Sequence, residues 1–141
     1  MILLDTDHIS VLRYTEHPRC TQLRARLETS GDPMIGMPII VYEEQVRGWF
    51  AAIHRQKDVS HQVAIYERLR QVIDFTREWQ IIMFDARAAS EFKRLRALQT
   101  RIGTQDLKIA STALVHNALL LTGNTRDFDH VPGLRHENWL G

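Results

Sequence analysis

Short apolar runs alternate along this chain with longer stretches in which apolar residues recur every three or four positions. Ile2-Leu3-Leu4 is the first such run, and a stretch this short and apolar reads as a buried parallel strand. Asp7 can cap a helix reaching about Tyr14. Pro18 opens a second helix through Glu28, with Leu23 and Leu27 on one face. Ser30-Gly31-Asp32-Pro33 is a loop by composition. Met34 to Val41 reads as a second strand, weakened by Gly36 and Pro38. Glu43–Gln56 and Ser60–Trp79 have helical periodicity, and the polar Lys57-Asp58 between them makes the pair a helical hairpin. Gln80 to Phe84 is a third strand, and Asp85 can cap a helix reaching about Leu98. Thr104 and Gln105 begin a helix to about Asn117, followed by a fourth strand over Ala118–Thr122 and a short fifth near Leu134–Glu137. Such alternation predicts an α/β fold with a mostly parallel sheet covered on both faces.

Size and composition narrow the picture without changing it. A chain of 141 residues fits one domain, residues 1–141, with a single core. No repeat, low-complexity tract or domain boundary interrupts it. No apolar stretch is long enough to span a bilayer, and no basic segment precedes the first apolar run, so a cytoplasmic protein is expected. The one cysteine, Cys20, excludes an internal disulfide and a cysteine-cluster metal site. The seven histidines are scattered without zinc-ligand spacing, and His8 reads as structural. A formal net charge of +1 argues against bulk electrostatic capture of nucleic acid and leaves room for a local basic face.

The chemistry lies in four acidic places. Asp5 ends the first apolar run, where open α/β sheets bind ligands. A helix N-cap is the ordinary role for Asp5, Thr6 or Asp7; because Thr6 or Asp7 can fill it, Asp5 is left over. Glu43 and Glu44 follow the second run and have an ordinary reading too, as first-turn acids favoured by the helix dipole. Gly48, inside that helical pattern, hints at close packing. Asp106 stands at the mouth of a helix whose Leu107, Ala110, Leu114 and Val115 mark it as buried, with Thr104 as its cap. Thr122, Asn124 and Asp127 follow the fourth strand, where turn chemistry alone could account for them; Asp129 reads as solvated. Independent capping does not require all four places to be topologically equivalent. Oxygen ligands without thiol or imidazole suit Mg²⁺, or Mn²⁺.

These segments resemble a known family. Leu3-Leu4-Asp5-Thr6-Asp7, Glu44-Gln45-Val46-Arg47-Gly48, Gly103-Thr104-Gln105-Asp106-Leu107-Lys108-Ile109-Ala110 and Thr122-Gly123-Asn124-Thr125-Arg126-Asp127-Phe128 are similar, in order and spacing, to the motifs of PIN-domain nucleases. The likeness is closest to VapC-type toxins of toxin–antitoxin pairs, and the ending Val131-Pro132-Gly133-Leu134…Glu137-Asn138-Trp139 shares it. The resemblance implies an α/β/α sandwich with a helical hairpin insertion and Mg²⁺-dependent endoribonuclease activity. It further implies that Asp5 and Asp106 hold the metal and that Glu44 holds or orients a metal-bound water. Asp127 and Asn124 would complete the site, supported by Thr6 and Thr122. Glu44 is preferred to Glu43 because its distance to Gly48 matches the family's Glu-x-x-x-Gly.

A small antitoxin protein and a homodimer, with the Glu43–Trp79 region as its surface, are the partners the resemblance implies. Arg126, Arg47 and Arg13 are the candidate contacts to an RNA substrate, which the charge balance suggests is structured. Trp49 and Phe50 could stack bases or pack in a dimer seam. Two other readings compete. One is a catalytically silent RNA-binding or interaction module with the same fold. The other is a Mg²⁺-dependent phosphatase built on Asp5-Thr6-Asp7, for which Lys108 is poorly spaced.

Overall fold

The structure is a computed structural model that describes residues 1–141. Its five strands are β1 (Ile2–Leu4), β2 (Ile35–Pro38), β3 (Gln80–Ile82), β4 (Leu119–Leu121) and β5 (Arg135–Glu137). They form one sheet in the order β3-β2-β1-β4-β5, and every neighbouring pair is parallel. The helices are α1 (Thr6–Arg13), α2 (Pro18–Thr29), α3 (Ile39–Arg55), α4 (Val59–Thr76), α5 (Ala86–Ala97), α6 (Thr104–Val115) and α7 (Thr125–Phe128). The α/β sandwich read from the sequence is therefore present, with a sheet that is wholly parallel.

The central position of β1 explains its composition. All three of its residues are buried although successive side chains point to opposite faces, so both faces of the sheet are covered. β1 pairs with β2 on one side and with β4 on the other. From β1 the chain walks outward to β2 and β3, then returns to lay down β4 and β5. The strand order therefore reverses between β1 and β4, the switch point at whose carboxyl ends open α/β sheets bind ligands. α5 packs on α6, α3 packs on α4 as the expected hairpin, and α3 also touches α6. The buried Leu107, Ile109, Ala110 and Ala113 seat α6 firmly in the core. No helix is long and apolar enough to cross a membrane.

Several boundaries differ from expectation, each for an identifiable reason. The second strand does not continue to Val41: Pro38 is the N-cap residue of α3, and Ile39-Ile40-Val41 begin the helix. An apolar run of that length cannot be assigned to strand or buried helix by periodicity alone. The shift matters, because Glu43 and Glu44 now fall beyond the first turn, where the helix dipole no longer accounts for them. The cap of α1 is Asp5 and not Asp7. Gly103, not Thr104, occupies the N-cap of α6, with no side-chain capping bond. Residues after β4 form the short helix α7, not only a turn. Gly48 faces open space, so close packing does not explain it. Gly36 is the glycine with that role: a Cβ there would stand 2.6 Å from the Gln80 carbonyl oxygen on β3.

Candidate active site

Asp5 is held at the end of β1 by two donors from different parts of the chain. Its Oδ1 accepts the Thr6 N–H at 2.8 Å, and its Oδ2 accepts the Thr122 hydroxyl, also at 2.8 Å, from the end of β4. The residue thus caps α1 and belongs to the acidic cluster at once. Burial raises its pKa and the charges of Asp7 and Asp106 add to the rise, against the lowering effect of the two hydrogen bonds.

Asp106 enters from the first turn of α6, and Asn124 ties it to the opposite loop. Asn124 Nδ2 donates to Asp106 Oδ2 at 3.2 Å and to Asp127 Oδ2 at 3.1 Å. The Asn124 N–H in turn donates to the Thr122 hydroxyl at 3.0 Å, so Thr122 links Asp5 to this loop. Asp106 has a raised pKa, chiefly from burial and then from the Asp127 charge. Asp127 itself is exposed.

The neighbours Glu43 and Glu44 have opposite fates. Glu44 Oε2 accepts the Thr6 hydroxyl at 3.0 Å, and its pKa is raised by burial and by the charges of Asp5, Asp106 and Glu43. Glu43 accepts from Gln105 Nε2 at 2.8 Å and pairs with Arg47 at 2.5 Å, and its pKa is lowered, first by the Gln105 bond. Glu44 therefore faces other carboxylates, whereas Glu43 is neutralised one helical turn away.

The charge pattern permits a test of metal chemistry. Asp5, Glu44 and Asp106 repel one another, and their side chains are stabilised only by hydroxyl, amide and backbone donors. The chemistry of this all-oxygen set suits a hard divalent cation. No three His, Cys, Asp or Glu groups stand close enough to enclose one ion by themselves. The arrangement fits an ion such as Mg²⁺, which binds through one or two carboxylates and keeps several waters.

The candidate cations are scattered. Arg126 is exposed on α7 beside Asp127. Arg47 is engaged by Glu43. Arg13 lies at the far end of α1, about 12 Å along the helix from Asp5. Trp49 is half-buried and Phe50 is exposed. Lys108 lies near Glu43, with its Nζ 6.0 Å from the centroid of the Phe84 ring. Asp129, expected in solvent, pairs with His136 at 2.9 Å while remaining largely exposed.

Sequence reasoning missed three contributors. Gln105 anchors Glu43, Asp7 accepts the Gly123 N–H, and the buried His8 joins Asp7 to Trp139. The Glu43–Arg47 pair was legible as an i, i+4 spacing. The other three links join segments too distant in sequence for any local pattern to show them.

Comparison with known proteins places this geometry in a family. The PIN domain family profile matches residues 2–134. Ribonuclease VapC2 of Rickettsia felis is 31% identical over 137 residues, covering 97% of this chain and 96% of the relative. The tRNA(fMet)-specific endonuclease VapC of Shigella flexneri is 36% identical over 78 residues, covering 52% of this chain and 59% of the relative. Among solved structures, VapBC2 from Rickettsia felis bound to a promoter DNA fragment contains a chain that superposes with a TM-score of 0.72 at 26% identity, covering 99% of each chain. DNA-bound VapBC from Salmonella typhimurium gives 0.75 at 25% identity, covering 98% of this chain and 97% of the other. Matched almost from end to end by the family profile and by a full-length relative, the chain belongs to the PIN domain family and, within it, to the VapC type.

Proposed function

We propose that this protein is a Mg²⁺-dependent endoribonuclease that serves as the toxin of a toxin–antitoxin pair. One observation carries the reading: carboxylates from separate elements converge at the crevice between β1 and β4 with no cation to pair them. Uncompensated charge of this kind is costly unless a metal offsets it. The names of the Rickettsia and Shigella relatives, a ribonuclease and a tRNA(fMet)-specific endonuclease, support RNA as substrate.

In this reading Asp5 and Asp106 hold the metal, with Asp127 and Asn124 completing its surroundings. When bound, the divalent cation supplies Lewis acidity, favouring ionisation of a water and screening charge on the phosphate. Thr6 orients Glu44, and Thr122 orients Asp5. Glu44 positions the attacking water and takes its proton, a role suited to a carboxylate whose pKa is raised. Attack on phosphorus in line with the 3′-oxygen forms the new P–O bond and breaks the P–O3′ bond, leaving a 5′-phosphate and a 3′-hydroxyl. Arg126 contacts the phosphate backbone beside the site, with Arg47 and Arg13 further out. A structured RNA is the favoured substrate. An antitoxin protein that covers the acidic crevice is the expected partner, consistent with the VapBC complexes among the structural relatives. A homodimer through the α3–α4 region completes the proposed assembly.

The test is cleavage of total cellular RNA by the wild-type protein and Asp5→Ala, with Mg²⁺ or Mn²⁺ and with EDTA. Discrete fragments, lost with EDTA and in Asp5→Ala, are the expected result. Hydrolysis of a small phosphomonoester without RNA cleavage would support the phosphatase reading, and binding of RNA without cleavage a silent module.

A further inference from the structure

Asn124 reaches both Asp106 and Asp127 from the turn that follows β4. We propose that the C-terminal segment Glu137–Leu140 is a clamp on the acidic site, acting through His8 and Asp7, which are positioning residues for Asn124. The proposal rests on the nuclease reading above and adds to it what holds the site in shape.

A continuous chain of hydrogen bonds connects the tail to the site. The Trp139 backbone N–H donates to His8 Nε2 at 3.1 Å. A backbone amide only donates, so Nε2 carries the lone pair and the ring proton lies on Nδ1. That proton faces Asp7 Oδ1 at 2.8 Å. Asp7 Oδ2 accepts the Gly123 N–H at 2.5 Å. The next residue, Asn124, donates to Asp106 and Asp127. The tail therefore sets the tautomer of His8, the tautomer gives Asp7 a fixed donor, and Asp7 pins the turn.

Three further features show that this route is built and not incidental. His8 is completely buried, with each ring nitrogen engaged by a different segment. Asp7 is not required as a helix cap, because Asp5 fills that position. A Cβ on Gly123 would collide with Asp7 Oδ2, so the turn approaches Asp7 as closely as glycine alone allows.

The tail has its own outer fastenings. The Arg26 guanidinium lies 4.2 Å above the Trp139 ring, Trp139 Nε1–H donates to Glu137 Oε2 at 2.6 Å, and Arg19 donates to the Leu140 carbonyl at 3.2 Å. Glu137 also accepts the Thr122 N–H through its carbonyl at 2.9 Å.

Half-isosteres of His8 separate the two links. The His8→Gln amide oxygen reaches the Nε2 position and keeps the Trp139 link but removes the ring donor to Asp7, leaving Asp7 Oδ1 only the backbone N–H of residue 8 at 2.7 Å. The His8→Asn amide nitrogen sits near Nδ1 and keeps the Asp7 link without the tail. Both are combined with deletion of Asn138–Gly141, and Mn²⁺ affinity is measured by titration of the purified protein, alongside melting temperature, kcat and KM on RNA. Tail deletion and His8→Gln should each weaken Mn²⁺ binding roughly tenfold, the usual result of removing partners that orient ligands. They should lower kcat more than they raise KM. His8→Asn should retain most of the affinity, and tail deletion should add no further loss in either His8 background.

Equal, additive losses on tail deletion in every background would overturn the clamp. So would Mn²⁺ affinities within about twofold of wild type accompanied only by lower melting temperatures, a packing effect. The Mn²⁺ titration needs no RNA, so a failure of RNA cleavage would count against the nuclease reading while the titration still decides the clamp.

Discussion

Two sets of carboxylates in this molecule behave oppositely. On the outer helices Asp74 and Glu91 each have a cation within a turn: Asp74 meets Arg70 at 3.1 Å and Arg77 at 3.8 Å, and Glu91 meets Arg94 at 2.5 Å. At the crevice Asp5, Glu44 and Asp106 meet one another, with only hydroxyls, amides and backbone N–H groups between them. Glu43 and Glu44 show the contrast in adjacent residues, one pairing with Arg47 and the other facing Asp5. Arginine is abundant in this chain, so the uncompensated cluster does not reflect a shortage of cations. Pairs encoded within one helical turn are satisfied as the helix forms. The cluster is assembled from segments up to 117 residues apart, as in the Thr122–Asp5 bond, and its repulsion is tolerated by the fold. Such tolerance is characteristic of functional sites.

The contrast can be broken most severely at Asp5. Asp5→Asn should reduce RNA cleavage by roughly a hundredfold or more, since it removes a proposed metal ligand. The metal-free protein should melt no lower than wild type, because the amide oxygen can still accept the Thr6 N–H and one repelling charge is gone. A variant that fails to fold, or one that cleaves at the wild-type rate, would defeat this account.

Glu44→Gln and Glu43→Gln sharpen it next. The first should weaken Mn²⁺ binding by roughly tenfold and the second should leave it near wild type, read by calorimetry. Equal losses would mean that the two residues share the site.

Asp5, Glu44 and Asp106 have raised pKa values in the folded protein, so their contribution to stability is fully present below the ordinary carboxylate range. It is lost as pH rises through the folded values, from roughly pH 4 upward. Glu43 and Glu91, with lowered values, contribute in the opposite sense. Melting curves of wild type and Asp5→Asn from pH 4 to 7 should therefore diverge in favour of the variant. Mg²⁺ should close that gap, and stabilise wild type more at pH 7 than at pH 5. Parallel curves without metal would remove the repulsion from the argument.

Smaller effects lie outside the cluster. Both polar atoms of the buried Gln45 side chain lack a protein partner, so Gln45→Met should raise stability by about 1 kcal/mol in denaturant melts. Arg94→Ala, which breaks an exposed pair, should leave the melting temperature essentially unchanged.

Much of the plan was legible along the chain. The order of strands and helices follows from apolar periodicity, and Asp85 caps α5 as its position suggested. Ile2-Leu3-Leu4 is the buried strand that its apolar run suggested. The start of α3 was not legible, because Ile39-Ile40-Val41 satisfies either structure and Pro38 decides between them only in place. Nor was the double use of Asp5, since capping and site chemistry looked like alternatives until Thr6 and Thr122 were seen to engage different oxygens. Arg47 was expected as a substrate contact, and the structure pairs it with Glu43 at the i, i+4 spacing.

By itself the sequence determined the order of the strands along the chain, where apolar faces lie, and that the acidic groups are all oxygen donors, because these depend on local periodicity and residue chemistry. Only the tertiary structure decided which carboxylates meet, which are neutralised, and how Trp139 reaches Gly123 through His8 and Asp7. Those outcomes depend on strand order and on donors far apart in the chain, and burial raises the energetic consequence of every such contact by removing the water that would otherwise screen it.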